Sequence, residues 1–189
     1  YKEQSYTYND ITQYNRNHLL REDDSVDGLK TGYTSVAGYG LVASAKREGM
    51  RLISVVMGSS STSSRKSETR SLLNYGFRFY ETATPLRGGA ELTQGRVWKG
   101  HAPQVALGVT TDVMLTLPRS TAEITSSVEI DGPLIAPLKA GDVVGRVILT
   151  RAGESVGEAP LEVLQSVEPA GFFARLWDTI LLWFQQLLG

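Results

Sequence analysis

The chain has 189 residues, 41% hydrophobic and 21% charged, with 19 basic and 20 acidic side chains and a formal net charge of −1. That balance supplies enough apolar material for a core and argues against disorder, a collagen-like chain or a basic nucleic-acid binder. The absence of cysteine excludes disulfide scaffolds, thiolate metal sites and a cysteine nucleophile, and it is compatible with an oxidising compartment.

Charge is uneven along the chain: residues 1–85 carry 11 basic and 9 acidic side chains, residues 86–171 carry 7 and 10, and the last 18 carry only Arg175 and Asp178. Residues 15–27, polar with the acidic cluster Glu22-Asp23-Asp24, read as an exposed connection. Residues 39–45 and 50–57 are rich in Val, Leu and Ile, and the charged, glycine-containing break between them predicts a β-hairpin. Residues 59–64, all Ser or Thr, read as a flexible surface loop. Leu72, Leu73, Gly76, Phe77 and Tyr80 then mark one apolar helix face packed on the hairpin, ended by Thr84-Pro85.

Beyond Leu86 the pattern changes. Short apolar runs at 97–98, 105–109, 113–117, 143–149 and 161–164 are punctuated by Gly, Pro or Asp and predict a small all-β sandwich or barrel. Trp98 reads as core, and His18 and His101 as surface residues; no metal or cofactor is expected. The expected division is 1–85, 86–168 and 169–189.

The tail predicts a helix. At 100° per residue Phe173, Leu176, Trp177, Ile180, Leu181, Trp183, Phe184, Leu187 and Leu188 share one arc, opened by Phe172, with Leu182 the intruder on the polar side. Seventeen residues make about 25 Å of helix, short of a bilayer core of about 30 Å. The pattern therefore predicts an amphipathic membrane-anchor helix lying in the interface, and since it has no net charge it depends on apolar burial. The alternative is a helix docked on its own domain or in a dimer.

The string that carries chemistry is Lys30-Thr31-Gly32-Tyr33, set in Val26-Asp27-Gly28-Leu29 and Thr34. A strand edge that presents an ammonium and a hydroxyl can hold an anionic carboxylate. Glycine at the third position lets a ligand approach the strand backbone, and the next N–H is free to serve as an oxyanion donor.

With Asn15-Arg16-Asn17-His18-Leu19-Leu20 upstream, Ala37-Gly38-Tyr39 and residues 41–45 and 51–58 after it, and Ala136-Pro137-Leu138, Gly141 and Val144-Gly145 downstream, the chain resembles the D-alanyl-D-alanine carboxypeptidases. These are the low-molecular-mass penicillin-binding proteins of peptidoglycan maturation, and the resemblance covers essentially the whole chain. It implies an α+β fold: part of a penicillin-binding transpeptidase domain (sheet hairpin plus helix), a small all-β sandwich-like domain and the anchor helix. It implies a serine acyl-enzyme that removes the terminal D-alanine of stem pentapeptides and is sensitive to β-lactams, on the periplasmic face of the inner membrane. Lys30, Thr31 and Gly32 would be catalytic. Lys30 and Thr31 would bind the substrate carboxylate, Tyr33 would offer its backbone N–H, and Arg16 and Arg65 would support the carboxylate or the motif strand.

The chain departs from the family in two places. It has no Ser-x-Asn, and its Ser-x-x-Lys string, Ser63 to Lys66, follows Lys-Thr-Gly where the family's nucleophile precedes it. With 29 residues before Lys30 and Tyr1 in place of a start, the chain reads as the C-terminal portion of an enzyme, inactive alone. Two alternatives stand beside this: a non-catalytic, membrane-tethered cell-wall or protein-binding module, and a β-lactamase or transpeptidase of the same superfamily.

Overall fold

The computed structural model describes the backbone of residues 1–188 and the side chains of residues 1–184. It divides into two compact units, Tyr1–Thr82 with Thr116–Arg119, and Ala83–Leu115 with Ser120–Gly189.

The first unit opens with a hairpin, β1 (Ser5–Tyr8) and β2 (Ile11–Tyr14), exposed along its length. Its two-residue turn uses Asn9 and Asp10, both at positive φ (47° and 58°), the geometry that matches strand twist. A short helix α1 (Leu19–Glu22) follows, then an antiparallel meander of β3 (Val26–Thr34), β4 (Gly38–Arg47) and β5 (Met50–Ser59). Glu48 and Gly49, at φ 46° and 85°, make the β4–β5 turn. Helix α2 (Thr62–Phe79) packs on the sheet. Leu19, Leu20, Val26, Leu41, Ala43, Ala45 and Leu73 form the core, with Leu52 and Phe77 against it.

Three expectations need correction here. Residues 15–27 are not simply an exposed connection, because Asn17, Leu19, Leu20 and Val26 are buried. The serine run is not a loop: Ser61 caps α2, its side chain accepting the Ser64 N–H at 3.0 Å, and Thr62 to Ser64 form the first helical turn. Nor does α2 reach Thr84-Pro85, since Tyr80 turns extended and begins strand β6 (Tyr80–Leu86), which pairs with β9 (Val113–Pro118). The Arg119 N–H caps the Phe79 carbonyl at 2.8 Å, so tertiary pairing ends the helix earlier than proline would. The inward helix face is Arg65, Thr69, Leu73 and Phe77, with Gly76 against Leu52, while Leu72 faces out.

The second unit is built on a sheet of order β10-β12-β13-β8-β7-β11. Its strands are β7 (Glu91–Trp98), β8 (Gln104–Gly108), β10 (Ile124–Ile130), β11 (Leu134–Ile135), β12 (Val143–Arg151) and β13 (Glu154–Val163). All pairings are antiparallel except β11 with β7. Leu107, Val109, Val147, Leu149, Leu161 and Val163 are the most deeply buried residues, and Leu86, Val113 and Leu115 from β6 and β9 complete the core. Two sheets of unequal size thus share it. Strand β10 is not among the expected runs because Ile124, Val128 and Ile130 are too sparse along the sequence to form one, although Ile124 and Val128 pack against the core. Trp98 is buried.

Helix α3 (Phe172–Leu188) ends the chain. Among its described side chains Asp178 and Leu182 alone are half-buried; Phe172, Phe173, Leu176, Trp177, Ile180, Leu181, Trp183 and Phe184 are all exposed. The side chains of Leu187 and Leu188 lie outside the described residues. No helix among the described residues is long and apolar enough to cross a membrane.

Candidate active-site wall

Lys30, Thr31 and Gly32 lie midway along β3, paired to Val42, Leu41 and Gly40 of β4. β3 is an edge of its sheet, so one side of its backbone is open for an extended ligand to add as a further strand. A Cβ built on Gly32 meets nothing within 4 Å. Packing within the described residues does not demand glycine there, and its effect is to keep the strand surface clear.

The strand is braced from behind by Arg65. This guanidinium is 5% exposed and donates from Nη1 to the Gly32 carbonyl (3.2 Å) and the Gly40 carbonyl (3.3 Å), and from Nη2 to the Arg16 carbonyl (3.2 Å). One side chain from α2 thereby ties β3, β4 and the segment before α1. Burial holds Arg65 below the usual arginine range; Arg16 adds to that and the Tyr39 phenol opposes it.

The Asn-Arg-Asn segment explains itself in the same way. Asn15 accepts the Asn17 N–H at 2.9 Å and donates to the Tyr1 and Glu3 carbonyls. Asn17, buried, donates to the Gly28 carbonyl at 3.1 Å and accepts the Leu19 N–H at 3.2 Å. The two amides are latches, and Arg16 between them stays exposed beside the motif strand. At the start of β3, Arg51 bridges Asp27 (2.8 Å) and the Ser44 hydroxyl; its hydrogen bond, and then that of Ser44, hold the Asp27 carboxyl below the usual aspartate range. Further along α2, Lys66 and Arg70 clamp Glu22 of α1. The hydrogen bonds from Lys66 and then Arg70 push the Glu22 carboxyl down to about 2.

Arg16, Lys30, Thr31, Gly32, Tyr33 and Arg65 line one groove of about 710 Å³ together with Tyr39 and Thr62. Its lining holds three cations and no carboxylate among the described residues, so its field favours an anion. The Tyr33 and Tyr39 rings close one side, 4.3 Å apart, and Arg65 lies 5.7 Å from the Tyr39 ring. The Lys30 ammonium folds onto the Thr31 carbonyl. Ser63 is exposed at the start of α2, and Lys66 is bound to Glu22 at 2.8 Å, so the Ser63–Lys66 string is not a nucleophile pair. His18 and His101 are exposed and stand outside the groove. Asn17, Asp27, Arg51, Tyr39 and Thr62 were missed as supporting residues; only the paired asparagines flanking Arg16 carried a sequence signal.

Residues 1–61 match the sequence model of the D-alanyl-D-alanine carboxypeptidase family, and residues 80–169 match that of the penicillin-binding protein 5 C-terminal domain. The D-alanyl-D-alanine carboxypeptidase DacC of Escherichia coli is 44% identical over 192 residues, covering 100% of this chain and 48% of that protein. DacA of Haemophilus influenzae is 42% identical over 186 residues, covering 96% and 47%. The crystal structure of penicillin-binding protein 5 from Haemophilus influenzae matches with a TM-score of 0.81 at 42% identity, covering 89% of this chain and 50% of that one. The fold is thus that of penicillin-binding protein 5, α+β and mostly strands. The chain is similar along its whole length to the D-alanyl-D-alanine carboxypeptidases, at 44% identity to one of them. It spans about half the length of the curated relatives it matches.

Proposed function

We propose that this chain forms one wall of the active site of a serine D-Ala-D-Ala carboxypeptidase that trims peptidoglycan stem pentapeptides and is acylated by β-lactams. The observation that carries the reading is the cationic groove on the open edge of β3, in a chain whose relatives are named as these carboxypeptidases. The terminal carboxylate of the peptide sits against the Lys30 ammonium and Thr31 hydroxyl, with Arg16 adding charge at the rim. The Tyr33 N–H donates to the oxyanion as the acyl-enzyme forms, Gly32 leaves room for the substrate backbone, and Arg65 holds the Gly32 and Gly40 carbonyls so that the strand does not shift under load. The nucleophilic serine and the Ser-x-Asn element are not in this sequence. In the full-length gene product, Lys30→Gln is expected to slow acylation by a labelled penicillin by roughly 100-fold or more, the size of losing one charged transition-state contact. Acylation within threefold of the unsubstituted protein overturns the assignment.

We infer further that three segments, 1–85, 86–168 and 169–189, act as catalytic portion, β-domain and anchor, with α3 an amphipathic helix in the interface of the inner membrane on its periplasmic side. Supporting this, the family matches break between residues 61 and 80, and the exposed side of α3 carries Trp177, Trp183 and three phenylalanines, side chains suited to an interface. The anchor set is Phe172, Phe173, Leu176, Trp177, Ile180, Leu181, Trp183 and Phe184, with Leu187 and Leu188. Vesicle flotation of the chain with and without residues 172–189 tests it; undiminished binding after truncation overturns it.

A further inference from the structure

Helix α3 meets its own unit through the side that its sequence marks as polar. The Asp178 carboxylate accepts the backbone N–H of Lys99 at 2.5 Å, and four residues on, the half-buried Leu182 lines a groove of about 520 Å³ together with Trp98, Pro133 and Leu134, with Arg96 stacked 3.8 Å from the Trp98 ring. Residues at i and i+4 share a helix face, so these two define one docking line. The intruding leucine of the polar arc is the apolar half of that contact.

The segment before the helix is fastened to the same turn. Lys99 stands at φ 58°, a left-handed conformation that turns its peptide group out of the strand. Its carbonyl accepts the Ala170 N–H at 2.8 Å, Gly100 bridges Pro169, and the His101 N–H donates to the Glu168 carbonyl at 2.8 Å. Between the last of these bonds and the start of α3 only Gly171 intervenes. The turn at Lys99–His101 therefore grips both the connection and, through Asp178, the second turn of the helix. A helix held only by a free linker would show neither.

We propose that α3 is a rigid mount rather than a floating tether: Asp178 and Leu182 lock it to the β-rich unit, so that a lipid surface meeting its apolar side holds that unit at one fixed tilt. The lock is independent of the lipid assignment, whereas the fixed tilt rests on it.

The chain has no cysteine, so two introduced ones, Ala174→Cys on α3 and Ser126→Cys on β10, take spin labels without background. Pulsed dipolar spectroscopy on the full chain is expected to give one narrow distance distribution, in solution and on phosphatidylcholine vesicles alike. Asp178→Ala with Leu182→Ala is expected to at least double its width and to speed exchange of the Lys99 amide at least tenfold. Asp178→Asn with Leu182 intact keeps an acceptor oxygen and is expected to preserve both. A broad distribution in the unsubstituted chain, or no change on removing both side chains, overturns the lock. A distribution narrow in solution but broad on vesicles overturns the fixed tilt. A chain that does not bind the vesicles at all overturns the lipid assignment, while the solution distances still decide the lock.

Discussion

Replacing Arg65 by Met tests whether the motif strand depends on the buried guanidinium behind it. Methionine fills most of the volume of the arginine stem but donates nothing, so the Gly32, Gly40 and Arg16 carbonyls lose their bonds from this side chain. Each of these partly buried hydrogen bonds is worth about 1 kcal/mol, which sums to about 3 kcal/mol for the three. Against that, the variant no longer buries a cation whose described hydrogen bonds all go to neutral carbonyls, a relief of about 1 kcal/mol. The expected net loss is about 2 kcal/mol, and for a unit of this size each kcal/mol lowers the melting temperature by roughly 4–8 °C, giving a drop of roughly 8–16 °C. The aromatic residues make the assay specific. All eight tyrosines lie between Tyr1 and Tyr80, while all three tryptophans, Trp98, Trp177 and Trp183, belong to the second unit. Thermal unfolding followed by the tyrosine near-ultraviolet dichroism reports the first unit, with the tryptophan signal as internal reference. Arg65→Lys keeps the charge but cannot span the carbonyls of both strands, so it falls between the two. A tyrosine transition within about 2 °C of the unsubstituted chain refutes the brace.

Three further outcomes follow from other parts of the molecule. Glu22 titrates in the folded chain near 2 against an ordinary 4.5, so its contribution is complete above about 4.5 and is lost as the pH falls toward 2; Glu22→Gln is expected to flatten the acid limb of the tyrosine-reported stability curve, and an unchanged limb counts against the clamp. A Cβ at Gly145 falls 2.0 Å from the Glu129 carbonyl oxygen and 2.9 Å from Ile130 Cα, backbone atoms that cannot swing aside. Gly145→Ala is therefore expected to destabilise the second unit by about 2–3 kcal/mol, read by tryptophan fluorescence in urea. Trp177 is 63% exposed, and with about 25 cal/mol per Å² of apolar surface its transfer into lipid is worth about 2–3 kcal/mol. Trp177→Ala should then weaken partitioning into phosphatidylcholine vesicles roughly 30- to 160-fold, measured through Trp183 emission, and an unchanged partition coefficient removes Trp177 from the lipid-facing set.

The parts of the fold legible in the sequence are those whose signal is local. The β4–β5 hairpin announces itself because two apolar runs flank Glu48-Gly49, and the Lys-Thr-Gly string because an ammonium, a hydroxyl and a glycine stand in consecutive positions. What escaped is held by distant partners. α1 has four residues, too few to show a period, yet Leu19 and Leu20 are core because the amide of Asn17 latches them to Gly28 of β3. The β1–β2 hairpin has a turn signal in Asn9-Asp10 and an alternating Ser5-Tyr6-Thr7-Tyr8, but its strands bury neither face, so no apolar run marks them. The serine run is ambiguous because serine favours both loops and helix caps, and the choice is made by the apolar face that begins beyond it. At the site, Lys30 and Thr31 could be picked out by chemistry, whereas Asp27, Arg51 and Tyr39 act through geometry that only the register of β3, β4 and β5 creates.

The two surfaces proposed for function rest on opposite physics, and ionic strength separates them. The groove gathers Arg16, Lys30 and Arg65 without a lining carboxylate among the described residues, so its attraction for an anion is Coulombic and falls as the screening length shortens to about 10 Å at 0.1 M salt. The two charges of α3 cancel, with the acidic one, Asp178, engaged by the Lys99 N–H, so its affinity for lipid rests on apolar area, which added salt does not weaken. Raising salt from 0.05 to 0.5 M should therefore weaken binding of a D-alanine-terminated dipeptide, followed by amide shifts of Thr31 to Tyr33, and leave vesicle partitioning unchanged. If partitioning falls with salt as the peptide affinity does, α3 is held by headgroup charge, and the assignment of its exposed aromatic side to the lipid interior fails.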